Sequence, residues 1–266
     1  MPSKIINLFS GKFLTIDDVI KQLSAFESLC MAGDDLRGVF ATAYLHITKS
    51  IQTELAGNAF RDKEWVESYL IRFGNLYREA LVYYENGQTE LIPKSWKFSF
   101  DLAAQKEGLI IQHLLLGINA HINHDLAIAL FDVKIDPDRV DKYADHTKIN
   151  EILEQATDTL KKEVSVKYAP ILKRLDRKTG YVSDEVTNFS IPKAREHAWS
   201  FAIALTRAAN QTEQQILRKA LDDQAAVLAR LILASPTQKP RFARTVSALK
   251  WLDRLANRIQ NIFRRS

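Results

Sequence analysis

Apolar residues recur every three or four positions along almost the entire chain, and this helical spacing constrains the fold more than any other feature. One such stripe consists of Phe40, Tyr44, Ile47 and Ile51, and another extends from Trp65 to Tyr84. No segment shows the clear alternation that a half-buried strand requires. The sequence therefore predicts an all-α fold, a bundle of several helices joined by short connections.

Polar residues between the apolar stripes predict where helices begin and end. Thr15, with Asp18 three residues later, has the pattern of a capping box at a helix start. A helix is expected over roughly 105–131, a polar connection over 135–148, and a charged amphipathic helix from about Lys148.

The C-terminal half has one segment with the composition of a loop, residues 176–192. Ser190 and Pro192 at its end are typical of a helix start. An Ala-rich helical pattern then extends over 193–234. We therefore expect helical structure from this point up to the break at SPTQKP, residues 235–240.

Cysteine content and the N-terminal sequence indicate the cellular compartment. Cys30 is the only cysteine, so an intramolecular disulfide is excluded and a reducing cytoplasm is expected. The N-terminus lacks a signal-peptide pattern, and no stretch approaches ~20 uncharged apolar residues. The amphipathic pattern around Cys30 favours a buried structural role over that of a nucleophile.

Positive charge is concentrated at the end of the chain. The net charge is +5, but residues 239–266 hold eight Lys or Arg and one acid, which gives this tail +7 and the remainder −2. We predict an all-helical globular domain, 1–235, and a hinge plus basic amphipathic helix, 236–266. Such a helix packs within the molecule or in a homodimer, docks on a helical partner, or binds an anionic membrane surface. Nucleic acid is disfavoured because the remainder is acidic.

The apolar segment LLLGINAHINHDL, residues 114–126, contains several polar residues. On a helical projection, His121 and Asp125 lie one turn apart on one flank of an apolar stripe. Asn119 and Asn123 lie one turn apart on the other flank. The stripe between them, expected to be the most deeply buried face, consists of Leu115, Ile118, Ile122, Leu126 and Ala129.

Three interpretations of these polar pairs remain open. The first is a purely structural hydrogen-bond network. The second is a metal-free site in which Asp125 orients His121 as a general base while Asn119 and Asn123 bind polar groups of a substrate. The third is a metal site, which needs a further ligand such as His197 beside His121 and Asp125. No cofactor-binding motif is present.

Arg37 and Tyr44 lie on the same helix and are further candidates for the site. Arg37 falls beside the apolar stripe, so it needs an anionic partner, either Asp125 or a substrate carboxylate or phosphate. In a structural role, it pairs instead with Asp34 or Glu79. The Tyr44 hydroxyl either joins the polar centre or belongs to an ordinary core tyrosine.

His197 is the best second histidine for a site built on His121. It lies at the edge of an apolar face formed by Ala194, Ala198, Phe201 and Leu205. His46 and His146 are expected to face solvent. Gly117 allows a neighbouring helix or a ligand to approach closely. Three tryptophans either line an apolar pocket or belong to the core: Trp65, Trp96 and Trp199.

Three stretches of the chain, GVFATAYLHIT, DKEWVESYLIRFGNLYREAL and LLLGINAHINHDLAIAL, resemble a largely bacterial all-helical family, domain of unknown function 5995. The likeness covers roughly residues 15–235. It is strongest at Gly117, Asn119, Ala120, His121, Ile122, Asp125 and Leu126. The resemblance implies a helical fold with His121 and Asp125 in a shared polar centre. It implies no particular activity and does not include the terminal helix.

Absent motifs narrow the range of functions. The chain lacks GxGxxG, GxxxxGK[ST], HExxH, CxxC and GxSxG. A polar centre inside a largely apolar pocket is typical of a small-molecule site, so we expect an enzyme or binding protein for a small apolar or lipid-like molecule. Its catalytic candidates are His121, Asp125 and Arg37, and its binding candidates are Asn119, Asn123, Tyr44 and His197. The alternatives are a non-catalytic scaffold or membrane-surface module that acts through residues 239–266, and a metal-dependent hydrolase.

Overall fold

The computed structural model describes residues 4–168 and 190–234, and within these ranges the chain forms helices and no strand. The α-helices are α1 (Lys4–Leu8), α2 (Ile16–Gly33), α3 (Gly38–Ala56), α4 (Lys63–Glu85), α5 (Lys94–Ala104), α6 (Ile110–Ala120), α7 (Leu126–Asp132), α8 (Arg139–Lys167), α9 (Ile191–Arg207) and α10 (Gln211–Ala234). A 3-10 turn spans Thr89–Leu91, and a π-helical turn spans His121–Asp125. The predicted all-α fold is confirmed.

The continuous helix Ile110–Asp132, made of α6, the π-turn and α7, is the central helix of the fold. It packs against α3, α4, α5, α9 and α10. Among the described residues it is the helix that is long and apolar enough to cross a membrane, with a mean hydropathy of 1.3 over 18 residues. However, 72% of that window is buried inside the protein, which is typical of a core helix.

Two of the predicted helix starts are confirmed by their capping bonds. The Thr15 hydroxyl accepts a hydrogen bond from the Asp18 N–H at 3.1 Å, and the Asp18 carboxylate accepts one from the Thr15 N–H at 3.0 Å. At the start of α9, the Ser190 hydroxyl accepts from the Lys193 N–H at 3.4 Å. Both caps satisfy N–H groups that have no partner within their helix.

The predicted connection over 135–148 is wrong, because α8 already begins at Arg139. Asp145, within this segment, is buried, and its carboxylate accepts hydrogen bonds from the backbone N–H groups of Arg61 and Asp62 at 2.8 and 2.7 Å. His146 is also buried, contrary to the expected exposure. A helix segment whose polar residues are bonded inside the protein has the same composition as a polar loop. The composition of residues 135–148 therefore predicted a connection where the structure has a helix.

Two other boundaries differ from the prediction. The central helix begins at Ile110 and not near 105, since Lys106 and Gly108 have positive φ values of 53° and 81° that a right-handed helix excludes. The Ala-rich stretch 193–234 is divided into α9 and α10. Asn210, between the two, accepts the Glu213 N–H at 3.0 Å, which is the capping bond of a new helix.

Most of the predicted loop over 176–192 lies outside the described residues, which resume at Ser190. The predicted hinge and basic amphipathic helix, 236–266, lie wholly outside them.

Buried apolar residues from Ile5 to Leu221 form one large cluster around the central helix. Cys30 belongs to it and is 1% exposed, and burial raises the pKa of its thiol, so the predicted structural role is confirmed. Gly117 is tightly packed, because a Cβ built there would lie 2.4 Å from Cγ of Phe40. The predicted close approach at Gly117 is therefore also confirmed, and the approaching helix is α3.

Candidate functional site

The His121–Asp125 pair occupies a π-helical turn in the middle of the central helix. Here the Leu126 N–H donates to the His121 carbonyl, five residues back, and not to the residue four back as in an α-helix. Such a turn inserts one extra residue into the helix, and π-turns are frequent at functional sites. It places both side chains inside the protein, His121 at 2% and Asp125 at 1% exposure.

Asp125 is a buried carboxylate with three hydrogen-bonding neighbours. Its Oδ2 accepts from the Trp96 Nε1–H at 2.8 Å and lies 3.1 Å from Nδ1 of His121. Its Oδ1 lies 2.9 Å from Nδ1 of His124. Burial by itself raises the pKa of Asp125, but the hydrogen bonds from the two histidines lower it further than burial raises it. The pKa therefore lies below its usual range, and Asp125 is ionised at neutral pH.

His121 is neutral at neutral pH, and its tautomer follows from its partner. Burial lowers its pKa, while the hydrogen bond to Asp125 opposes this shift only in part. Since ionised Asp125 can only accept, Nδ1 of His121 carries the proton and donates it, leaving a lone pair on Nε2. Nε2 is buried and has no hydrogen-bond partner among the described residues.

Aromatic side chains surround the His121 imidazole. Phe73 stacks on it with 3.4 Å between ring centroids and an interplanar angle of 10°. Tyr44 and Phe40 meet it edge to face, at 4.5 and 5.5 Å. These rings come from α3 and α4, so the packing of both helices fixes the orientation of the imidazole. Tyr44, a predicted binding residue, therefore lies next to His121, and it is the aromatic ring of Tyr44 that makes the contact.

His121 forms part of the wall of a cavity of about 90 Å³ between α3, α4, the central helix, α8 and α9. The wall is largely aliphatic and aromatic, and includes Ile47, Leu70, Ile118, Ile122, Ile149 and Leu153. Ile118 and Ile122 were predicted to lie on the most buried face, but they border the cavity and are only partly buried. The rest of that face, Leu115, Leu126 and Ala129, is fully buried as predicted.

Asn119 and Asn123 lie together, but not at this cavity. The Asn123 amide donates to Oδ1 of Asn119 at 3.0 Å, and the Asn119 amide donates to the Ala225 carbonyl of α10 at 2.8 Å. This chain of bonds ties the central helix to α10. Asn123 also borders an open groove of about 660 Å³ between α9 and α10.

The structure places Arg37 and His197 away from His121. Arg37 is paired with Asp35 and Glu85, each at 2.6 Å, so the predicted partners Asp34, Glu79 and Asp125 are wrong. Asp35 lies only two residues before Arg37, and the turn between α2 and α3 brings the two side chains together. Helical periodicity gives no information on the geometry of such a turn. His197 is exposed and contacts Phe201, and it borders the open groove and not the cavity.

In the part of the chain that the structure describes, His121 and Asp125 have no further ligand that would complete a metal centre. Among residues 4–168 and 190–234, no three His, Cys, Asp or Glu side chains are arranged to hold a metal ion. The third ligand that the metal hypothesis needed, His197, lies on the outer side of α9.

His46, expected at the surface, is partly buried and lies 2.9 Å from Glu163.

Two functional candidates escaped the sequence analysis, Trp96 and Arg195. Trp96 was considered only for its apolar surface, although a buried indole N–H needs an acceptor. Arg195 is 2% exposed and lies in the cavity wall. It shares a helical stripe with the buried residues Ala198, Trp199 and Ala202. The buried face of α9 is therefore shifted by about one residue from the predicted apolar face, and the prediction left Arg195 outside it.

No curated protein and no solved structure matches the chain. One family model, described as a family of unknown function (DUF5995), matches residues 16–235. This range begins at the first residue of α2 and includes every helix through α10, and with them the His121–Asp125 pair. The chain therefore belongs to the DUF5995 family.

Proposed function

We propose that the cavity beside His121 binds a small, largely apolar molecule that carries a hydrogen-bond donor. The observation that carries this proposal is Nε2 of His121, a buried acceptor with no partner among the described residues. Leaving such a group unsatisfied costs about 1–3 kcal/mol, and a bound donor recovers that free energy. An apolar cavity with few polar groups is also the usual form of a small-molecule site.

The His121–Asp125 pair has the arrangement of a general base. Asp125 keeps the proton on Nδ1, so the Nε2 lone pair is available to take a proton from a ligand hydroxyl or a water molecule. The carboxylate then stabilises the imidazolium that forms. Trp96 holds the same carboxylate oxygen and fixes its position. In this proposal, Trp96 and Asp125 are positioning residues and His121 acts on the ligand.

The dimensions of the cavity restrict the ligand. At about 90 Å³ it is smaller than the ~150 Å³ cavity that accepts benzene, so a short apolar group fits. Nε2 itself has almost no exposed surface, so a ligand must displace part of the surrounding aromatic side chains to reach it. We further propose a cytoplasmic location, with residues 239–266 attaching the protein to an anionic membrane surface or to a helical partner.

The alternative is a non-catalytic helical scaffold. The Asn123–Asn119–Ala225 chain favours it, because both polar atoms of the Asn119 side chain find partners within the protein. Both oxygens of Asp125 are likewise occupied. Residues 239–266 would then be the working part, and their removal would abolish binding to anionic vesicles or to a protein partner.

The two proposals are separated by the His121→Phe variant of the full chain. Phenylalanine keeps a ring that stacks on Phe73 but has no acceptor, so we expect 1-butanol to bind about tenfold more weakly, the loss of one hydrogen bond. In the wild type, 1-butanol should shift the ¹⁵N resonance of Nε2. His197→Ala, an exposed histidine outside the cavity, is the matched control and should bind 1-butanol as the wild type does. Equal affinities in wild type and His121→Phe, with an unchanged Nε2 resonance, would exclude the proposed site.

A further inference from the structure

Arg195, in the first turns of α9, is a second polar group in the wall of the cavity that contains His121. Its side chain donates through Nε to Oδ1 of Asn150 at 2.7 Å and through Nη1 to the Tyr69 hydroxyl at 3.3 Å. Nη2 donates to the His146 carbonyl at 2.6 Å and lies 3.3 Å from Nδ1 of His146. The guanidinium is thus held rigidly by α4 and α8 at one place in the cavity wall.

All of these partners are neutral. Nε2 of His146 lies 3.2 Å from the Arg195 carbonyl, which can only accept, so Nε2 carries the proton and Nδ1 accepts from Nη2. Burial and the neighbouring guanidinium hold the pKa of His146 well below its usual range. Asn150 and Tyr69 contribute an amide oxygen and a hydroxyl. No carboxylate within the described ranges forms an ion pair with Arg195.

Two other arginines of the described helices are neutralised by carboxylates. Arg37 pairs with Asp35 and Glu85, and Arg72 lies 3.0 Å from Glu79 and 2.7 Å from Asp132. Arg78 is buried and also bonds neutral groups, but it does not form part of the cavity wall. A buried charge without an opposite charge is unfavourable, and such groups usually acquire an anionic partner. Arg195 is both a buried charge without a carboxylate partner among the described residues and a part of the cavity wall.

The hydrogen-bond count indicates which kind of anion fits. A guanidinium has five N–H donors, and four of those of Arg195 have acceptors, which leaves one N–H on Nη1. Tyr69 accepts from Nη1 and keeps its own O–H to donate. Two donors at one point suit a single carboxylate oxygen, whereas a phosphate presents more oxygens and charge than two donors satisfy.

We propose that Arg195 binds the carboxylate of a small apolar acid, whose hydrocarbon part occupies the cavity beside His121. This inference deepens the proposed function and rests on it. The carboxylate accepts the free N–H of Nη1 and the O–H of Tyr69. The ligand class is therefore a short apolar monocarboxylic acid, and a hydrogen-bond donor on its apolar part would meet Nε2 of His121.

Butanoate and 1-butanol, which share a chain length and differ in charge, test the inference by calorimetry on the full chain at neutral pH. We expect butanoate to bind about fivefold more tightly than 1-butanol, because its hydrogen bond to a charged group is stronger than the neutral bond to His121 that the alcohol makes and butanoate lacks. In Arg195→Gln this preference should disappear while 1-butanol binds as before. Lys193→Gln removes an exposed positive charge from the same helix, and it should retain the full preference.

The outcomes distinguish the two proposals. If 1-butanol binds and butanoate binds no more tightly, the anion inference is overturned and the proposed function stands. If neither ligand binds, both are overturned. If Arg195→Gln fails to fold, the side-chain ¹⁵N resonances of Arg195 in the wild type decide the question. They should shift with butanoate and not with 1-butanol, and the absence of that difference would overturn the inference.

Discussion

The two flanks of the central helix carry the same sequence pattern and have different structural outcomes. Asn119 and Asn123, four residues apart, bond to each other and to α10, so both polar atoms of Asn119 and the amide nitrogen of Asn123 are used within the fold. His121 and Asp125, also four residues apart, bond to each other, yet one ring nitrogen remains without a partner in the described structure. One pair closes a helix interface, whereas the other lies at a cavity.

This difference shows what separates a structural polar pair from a candidate site. Spacing and burial are alike in the two pairs, and all four side chains are polar, so none of these properties is decisive. The decisive property is the satisfaction of each polar atom, which depends on residues far away in the sequence. For Asn119 that residue is Ala225, and for Asp125 it is Trp96.

The largest expected effect comes from breaking the His121 flank at Asp125. Asp125→Ala removes the acceptor of Trp96 and His121 and leaves two buried N–H groups unsatisfied, so we expect the free energy of unfolding to fall by about 2–6 kcal/mol. Urea denaturation followed by circular dichroism measures this change. Asp125→Asn keeps an oxygen for the Trp96 N–H and should lose clearly less. A similar loss in both variants would mean that the Trp96 bond has little influence.

A smaller effect is expected from breaking the other flank. Asn119→Ala removes two buried hydrogen bonds, so the free energy of unfolding should fall by about 2 kcal/mol. Binding of 1-butanol should remain unchanged, because Asn119 does not line the cavity. Asn123→Ala removes only one of the two bonds and should lose about half as much. Weaker 1-butanol binding in Asn119→Ala would show that the two flanks are coupled.

The third effect, which is smallest near neutral pH, is a pH dependence to which the His121 flank contributes. The pKa values of His121 and His146 are lowered by folding, so below the ordinary histidine pKa of about 6.5 the unfolded chain binds protons that the folded protein does not. The contribution of these two histidines to the free energy of unfolding is therefore fully present above that pH. It decreases as the pH falls, by up to about 1.4 kcal/mol per pH unit for each histidine.

His121→Phe should remove one of these two contributions between about pH 6.5 and 5. Urea midpoints measured across this range report the slope, with His197→Ala as the control that should keep the wild-type slope. An unchanged slope in His121→Phe would mean that the imidazole becomes protonated inside the folded protein as readily as in the unfolded chain.

Much of the fold could be predicted from the sequence, since helix formation depends on local periodicity and caps. The starts at Thr15 and Ser190 were correct for this reason, as was the pairing of His121 with Asp125 one turn apart. Predictions that depended on distant partners failed. Arg37 pairs with Glu85 from α4, and His146 is buried by Arg195 from α9. Sequence spacing contains no information on such contacts.

The site itself was predictable only in part. His121 and Asp125 were visible because polar residues stand out in an apolar segment. Arg195 was not, since a charged residue on a helix usually faces solvent, and its burial depends on acceptors from α4 and α8. The π-turn was also missed, because the predicted projection assumed 100° per residue throughout.

The π-turn gives the central helix one residue more than a regular helix of the same path requires. Removing one residue between His121 and Asp125 would leave a sequence that can still form an unbroken α-helix. Because the wide turn absorbs that extra residue, α7 would keep its direction after the deletion and would still pack against α4 and α9. His121 and Asp125, however, would lie three residues apart on a regular turn, and the geometry that now joins them would be lost. A family member lacking one residue here would therefore keep the core of this fold and lose the His121–Asp125 arrangement.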